Sequence, residues 1–173
     1  MAEIKPFCGY LPLPKLAKRI TSPPYDVLSS NEARLIVQNN KDSFLRIIKP
    51  EVDYPDTVIP DKKILHSNAA KNLKSFIKSG KLETEKNPSL YIYKISKEEH
   101  IQTGIVAGVS IKEYDEGLIK KHELTRPDKE DDRTEHIKIT NANTGPVFLT
   151  FRNDGDFKDH LSIITSYEKD ISF

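Results

Sequence analysis

The sequence predicts an α+β fold in a single domain, a mixed or antiparallel sheet with flanking helices. Three observations carry that expectation. Helical and strand-like segments segregate along the chain instead of alternating as β-α units. Residues 61–80 place Ile64, Leu65, Ala69, Leu73, Phe76 and Ile77 at helical spacing. Residues 89–114 hold two runs rich in Ile, Val and Tyr, separated by the short polar stretch "KEEH".

Taken in order, residues 1–28 are irregular, with prolines at 6, 12, 14, 23 and 24, and "KLAKRI" (15–20) supports a turn or two of helix. "SSNEARLIVQNN" begins with serine caps and carries Ala33, Leu35, Ile36 and Val37 into a short helix ended by Asn39-Asn40. "SFLRIIKP" (43–50) is apolar and β-branched, which predicts a strand closed by Pro50. The 61–80 helix starts at Asp61 and stops at Gly80. "SLYIYKIS" and "IQTGIVAGVSIKEY" (101–114) form the expected antiparallel hairpin. "TGPVFLTFRN" (144–153) predicts a glycine-proline turn and a buried strand, and a last helix is expected around 156–166.

Composition narrows the function classes. With 27 basic and 26 acidic side chains in 173 residues, the net charge of +1 offers no electrostatic footprint for nucleic acid. Seven Tyr and seven Phe supply bulky core material and argue against disorder. The one cysteine, Cys8, excludes an internal disulfide framework and a cysteine-rich zinc site. "MAEIKPFCGY" lacks the apolar core of a signal peptide, and no later run reaches membrane-spanning length, so a cytoplasmic protein without membrane contact is expected. There is no P-loop, no G-x-G-x-x-G, no G-x-S-x-G and no H-E-x-x-H. His66, His100 and His160 read as surface residues.

One stretch stands apart. In "KKHELTRPDKEDDRTEH" (120–136) thirteen of the seventeen side chains are charged or imidazole. Thr125 with Asp128 three residues on resembles a capping box, and Pro127 suits a first helical turn, so a helix over about 126–142 is expected. No apolar stripe holds its first half; Ile137, Ile139 and Ala142 are the anchors available to its far end. Asp128, Asp132 and His136 fall at i, i+4 and i+8 on one face, a pattern suited to a divalent cation or acid–base work. His122 and Glu123 lie just upstream, with Arg126 and Arg133 available to an anion. The competing reading is a solvated face of interspersed charge.

A second candidate is "TSPPYDVLS" (21–29), where two prolines fix the path of the chain and hold Ser22, Tyr25 and Asp26 toward a ligand. Its competing reading is a stiff turn whose Tyr packs and whose Asp caps the next helix. In "NANTGPVF", Asn141, Asn143 and Thr144 read as a helix end and turn, or as an anion-binding nest.

"IKPFCGY", "SPPYDVLS", "SFLRIIKPE", "PSLYIYK", "QTGIVAGVSIKEYDEGLIKKHELTRPDKEDDR" and "NTGPVFLTFR" occur in this order over about residues 3–152. Together they resemble the N-terminal part of the domain-of-unknown-function 1015 family. Residues 1–152 then form the family-matching α+β domain, and 153–173 a C-terminal helix and tail at the start of a further region. The resemblance implies a downstream "DGHHRY"-like motif, similar to one in ParB-type partitioning proteins and free serine kinases; no Gly-His-His occurs here, so the chain reads as an N-terminal fragment or a short member. It also makes the charged ribbon a wall of a functional cleft. The activity expected from it is handling of a small phosphorylated ligand, with Mg²⁺ and ATP or ADP. In that scheme Arg126 and Arg133 meet phosphate, Asp128, Asp131 or Asp132 hold the metal, and His122 or Glu123 is the acid–base group. The alternative is a non-catalytic regulatory or interaction module linked to chromosome partitioning.

Overall fold

The computed structural model describes every residue except Met1, Ile59, Glu123, 153–155, 165 and 167–169, with the backbone alone for 156–158. In chain order the elements are β1 (Ile4–Lys5), β2 (Tyr10–Pro12), α1 (Pro14–Ile20), α2 (Ser30–Asn39), α3 (Leu45–Ile48), a 3-10 turn (Pro50–Asp53) and α4 (Lys62–Lys78). There follow β3 (Leu82–Thr84), β4 (Tyr91–Lys97), β5 (His100–Val106), β6 (Gly108–Val109), α5 (Ile111–Asp115), α6 (Pro127–Thr140) and α7 (Asp156–Ile164). The class is α+β, as the segregated pattern predicts. Among the described residues the strands form three two-stranded pairs, β1–β6, β2–β3 and β4–β5, in place of one larger sheet.

The chain divides into two compact units. The first gathers residues 1–10, 84–124 and 146–170; the second gathers 11–83, 125–145 and 171–173. In the first, β4 and β5 run antiparallel from Tyr91↔Val106 to Lys97↔His100, the hairpin read from the sequence. β1 pairs antiparallel with β6, Ile4 opposite Val109. Gly9 lets the backbone pass close to Tyr91: its N–H donates to the phenol oxygen at 2.6 Å, and a Cβ would stand 3.0 Å from that oxygen. The phenol in turn donates to the Phe7 carbonyl at 3.1 Å.

The expected strand over 101–114 is interrupted. Ser110 accepts from the Glu113 N–H at 3.3 Å and caps α5, so the β-rich run ends where a capping residue starts a helix. The buried strand expected over 144–153 does not form among the described residues 144–152. Residues 146–152 belong to no strand, and Val147 and Phe148 are exposed.

The second unit holds the core. One cluster joins Ile20, Ile47, Leu73, Phe76 and Leu82; another joins Ala33, Val37, Leu45, Ile48 and Val52, and Phe44 packs against both. "SFLRIIKP", expected as a strand, is one turn of helix followed by the 3-10 turn. Packing supplies the reason. On a strand Leu45 and Ile47 would share a face. Here they enter different clusters, and Leu45 joins Ile48 three residues on, a helical relation.

Local signals otherwise hold. Ser29 and Glu32 close a capping box on α2, so the cap is Ser29 and not Asp26. Asp61 accepts from the Lys63 N–H at 2.8 Å to start α4, and Gly80, at φ +67°, stops it. No peptide bond among the described residues is cis. No helix among them is long and apolar enough to cross a membrane.

Candidate functional site

α4 and α6, distant in sequence, lie side by side in the second unit. Each contributes a buried histidine at the contact. His66 belongs to the stripe of α4 that buries Ala69, Ala70 and Leu73, positions i+3, i+4 and i+7 from it. His136 is the most deeply buried side chain of α6. The expectation that His66 lies on the surface fails: it is 3% exposed and His136 1%. Their rings meet edge to face, centroids 5.5 Å apart.

The two rings are held differently. His136 Nε2 lies 2.9 Å from the Ile47 carbonyl. A carbonyl only accepts, so Nε2 carries the hydrogen and donates it. Thr140 ties the same turn of α6, donating to the His136 carbonyl at 2.7 Å. Burial, first of all, pushes the His136 pKa below 6.5, with the positive charges of Arg133 and His66 adding to it. The Ile47 hydrogen bond and Asp132 oppose that shift without cancelling it. His66 Nε2 lies 3.3 Å from Asp132 Oδ1, while its Nδ1 is buried without a hydrogen-bond partner.

Asp132 links the histidines to the rest of the ribbon. Its Oδ2 accepts from Arg133 Nη2 at 2.8 Å. Burial works to raise the Asp132 pKa; the Arg133 hydrogen bond and the charges of Arg133, His66 and Lys62 together outweigh it and hold the carboxyl below its ordinary range. The Arg133 guanidinium stands 4.7 Å from the Tyr25 ring centroid. "SPPYDV" and the charged ribbon therefore meet, through Tyr25 and Arg133.

Among the described candidates of the second unit, Ser22, Asp26, Arg126 and Asp128 form no hydrogen bond or ion pair with His66, Asp132 or Arg133. Ser22 is half-buried and Asp26 exposed. Arg126 is engaged with Asp128 through two hydrogen bonds, Nε to Oδ1 at 3.1 Å and Nη2 to Oδ2 at 2.9 Å, and both side chains are exposed. That pair occupies the first turn of α6, whose cap position is Arg126 with no side-chain cap, in place of the Thr125 box. The Arg126 hydrogen bond lowers the Asp128 pKa. His122 is exposed and belongs to the first unit; Glu123 lies outside the described residues. Asn141 ends α6 in the left-handed conformation, and the Gly145 N–H donates to Asn143 Oδ1, which is the helix end and turn.

Beside His66 a cavity of about 320 Å³ opens between the helices. α4 lines it with Lys62 and His66; α6 lines it with Asp131, Asp132, Glu135 and Lys138 among others. Among the described residues Lys62, Lys138, Asp131 and Glu135 form no ion pair, so two ammonium groups and two carboxylates face the cavity uncommitted. No three His, Cys, Asp or Glu side chains among the described residues stand close enough together to cage a metal by themselves. The arrangement can pair an anion with lysine, offer a carboxylate to a hydrated cation and exchange a proton with an imidazole.

Comparison with known proteins adds one match. The family model described as "Protein of unknown function (DUF1015)" matches residues 4–173. Neither the curated proteins nor the solved structures yield a match to this chain.

Proposed function

The chain belongs to the DUF1015 family, and we propose that it handles a phosphorylated small molecule at the cavity between α4 and α6. One observation carries the reading: the His66–Asp132 contact, 3.3 Å long, borders a cavity that Lys62 and Lys138 flank with unpaired ammonium groups. Lys62 and Lys138 take the phosphate, His66 exchanges the proton, and Arg133, stacked on Tyr25, holds Asp132 in place. Arg126, which the sequence assigns to phosphate, is engaged with Asp128, so the two lysines take its role.

ATP or ADP with Mg²⁺ heads the ligands to test, the class suggested by the family's downstream motif, which this chain lacks and which is similar to one in ParB-type and free serine kinase proteins. The residues present fit the ion. Mg²⁺ is commonly held by one or two carboxylates together with the phosphates of its ligand, and Asp131 and Glu135, one turn apart on α6, supply that pair. The ion would contribute neutralisation of phosphate charge. A cytoplasmic setting, away from membrane and without direct nucleic-acid contact, belongs to the same proposal.

Calorimetric titration of ATP and ADP, each with Mg²⁺, tests it on the chain and on the Lys62→Ala/Lys138→Ala and Arg126→Ala variants. Binding weakened about tenfold or more in the double lysine variant and unchanged in Arg126→Ala is expected. No binding by the parent chain, or equal binding by all three, would sink the reading.

A second reading, an interaction module linked to chromosome partitioning, rests on the first unit. Val147 and Phe148 are exposed there, as are Tyr93, Ile95 and Ile101 of the hairpin. It requires that Val147→Ser/Phe148→Ser lower the association state measured by light scattering while nucleotide titrations stay silent.

A further inference from the structure

α2 carries Asn31, Arg34, Leu35 and Gln38 at i, i+3, i+4 and i+7, on one face. That face and the Tyr54–Asp56 loop line a separate cavity of about 540 Å³, within the size range of small-molecule sites. Arg34 is the one basic group of a lining that also holds the carboxylates of Asp53 and Asp56, and its side chain is 16% exposed.

The guanidinium is nearly saturated, though chiefly by neutral oxygens. Nε donates to the Tyr54 carbonyl at 3.1 Å, Nη1 to Asn31 Oδ1 at 3.0 Å and Nη2 to the Glu51 carbonyl at 3.4 Å. Its one ion pair among the described residues is with Asp56, through Oδ1 alone at 2.5 Å. The neighbouring acids are committed elsewhere. Asp53 serves Arg46, Asn68 and Asn72, and Glu51 serves Lys49 and Ser30.

A guanidinium largely withdrawn from water is costly without a counter-charge, so an anion is favoured at this position. The planar fork holds a carboxylate best through two parallel bonds. Asp56 offers one oxygen from a side chain 67% exposed to water, where an ion pair gains little. It is the replaceable partner. Beside it Leu35, 60% exposed, gives the cavity an apolar wall continued by Pro55.

We propose that this cavity binds a small organic carboxylate with an apolar body, which displaces Asp56 from Arg34 and rests on Leu35. The site shares no residue with the α4–α6 cavity, so each stands or falls alone.

The test is NMR titration of the whole chain, following the Arg34 Nε–H and Leu35 methyl signals. Benzoate is the probe, benzamide its uncharged isostere and phenyl phosphate the alternative anion. Benzoate is expected to shift both signals saturably and benzamide neither. Asp56→Asn, which removes the competing charge, should tighten benzoate about three- to fivefold. Arg34→Gln should abolish binding but also frees the loop it holds, so the decision rests on Asp56→Asn, which leaves the other three Arg34 contacts in place. No saturable shift with benzoate, equal shifts with benzamide, or unchanged or weaker binding in Asp56→Asn overturns the proposal. Binding of phenyl phosphate in preference to benzoate overturns the carboxylate assignment.

Discussion

The Arg133 guanidinium lies 4.7 Å from the centre of the Tyr25 ring, so a proline-stiffened turn near the start of the chain supplies the ring against which Arg133, the residue that holds Asp132, is stacked. Stacking of this kind depends on the aromatic face and not on the phenol oxygen. Tyr25→Phe should therefore leave stability close to the parent value, and Tyr25→Leu should cost about 0.5–1 kcal/mol. Urea unfolding separates the two. Equal losses in both variants would assign the role to the hydroxyl.

His136 supplies a donor to the Ile47 carbonyl in a place that water does not reach. His136→Ala leaves that carbonyl unsatisfied and opens a void beside His66, which should cost roughly 3 kcal/mol. His136→Gln can still donate and should recover a substantial part of it. Chemical denaturation of both variants measures the difference; a loss below about 1 kcal/mol in the alanine variant would show that the bond is not structural.

The same histidine sets a pH limit. Burial holds the folded His136 pKa below 6.5, so the unfolded chain takes up a proton that the folded chain refuses. The stability it contributes is whole above 6.5 and is lost as pH falls from there toward the folded value. Asp132 acts in a lower window. Despite its burial, Arg133 and the neighbouring positive groups keep its carboxyl below 3.8, so its contribution is present above 3.8 and is lost as pH falls through the folded value. The thermal midpoint should begin to fall just below pH 6.5, and His136→Gln should flatten that first decline. An unchanged slope would place the proton elsewhere.

Asp53 binds three partners with one carboxylate: Arg46 Nε at 2.7 Å on Oδ1, and Asn68 and Asn72 Nδ2 at 2.8 Å each on Oδ2. Asn68 and Asn72 belong to α4 and Arg46 to α3, so the group joins both helices to the 3-10 turn. Asp53→Ala should destabilise by about 3 kcal/mol, because it strands a half-buried guanidinium and two amides together. A loss near that of a surface ion pair, below about 1 kcal/mol, would mean that the partners find water instead.

Much of the fold was legible wherever a local rule decided it. Asp61 and Gly80 bracket α4, Ser29 and Glu32 start α2, and two β-rich runs pair as a hairpin. "SFLRIIKP" was not, because a run this short, with Leu45, Ile47 and Ile48 all buried, does not separate a helical from a strand period. Tyr25 was legible as a residue held by prolines, but its partner Arg133 is set by tertiary packing alone. His66 could have been found: it falls on the apolar stripe of Ala69, Ala70 and Leu73, where an imidazole demands a partner. His136 offered less, since the face it shares with Asp132 and Asp128 is polar and its acceptor is a backbone carbonyl that no side-chain pattern encodes.

α6 is a helix with hardly any grease of its own. It is fastened by the His136 ring nitrogen on the Ile47 carbonyl, the Asp132 carboxylate on His66 of α4 and the Arg133 guanidinium on Tyr25. Both apolar clusters are centred on residues 20–82, which leave the ribosome before it. During synthesis the scaffold can therefore condense first and wait for α6 to arrive as a latch. In the finished protein that latch can lift while the clusters stay shut, and its amides should exchange with solvent through a shallower opening than those of α4.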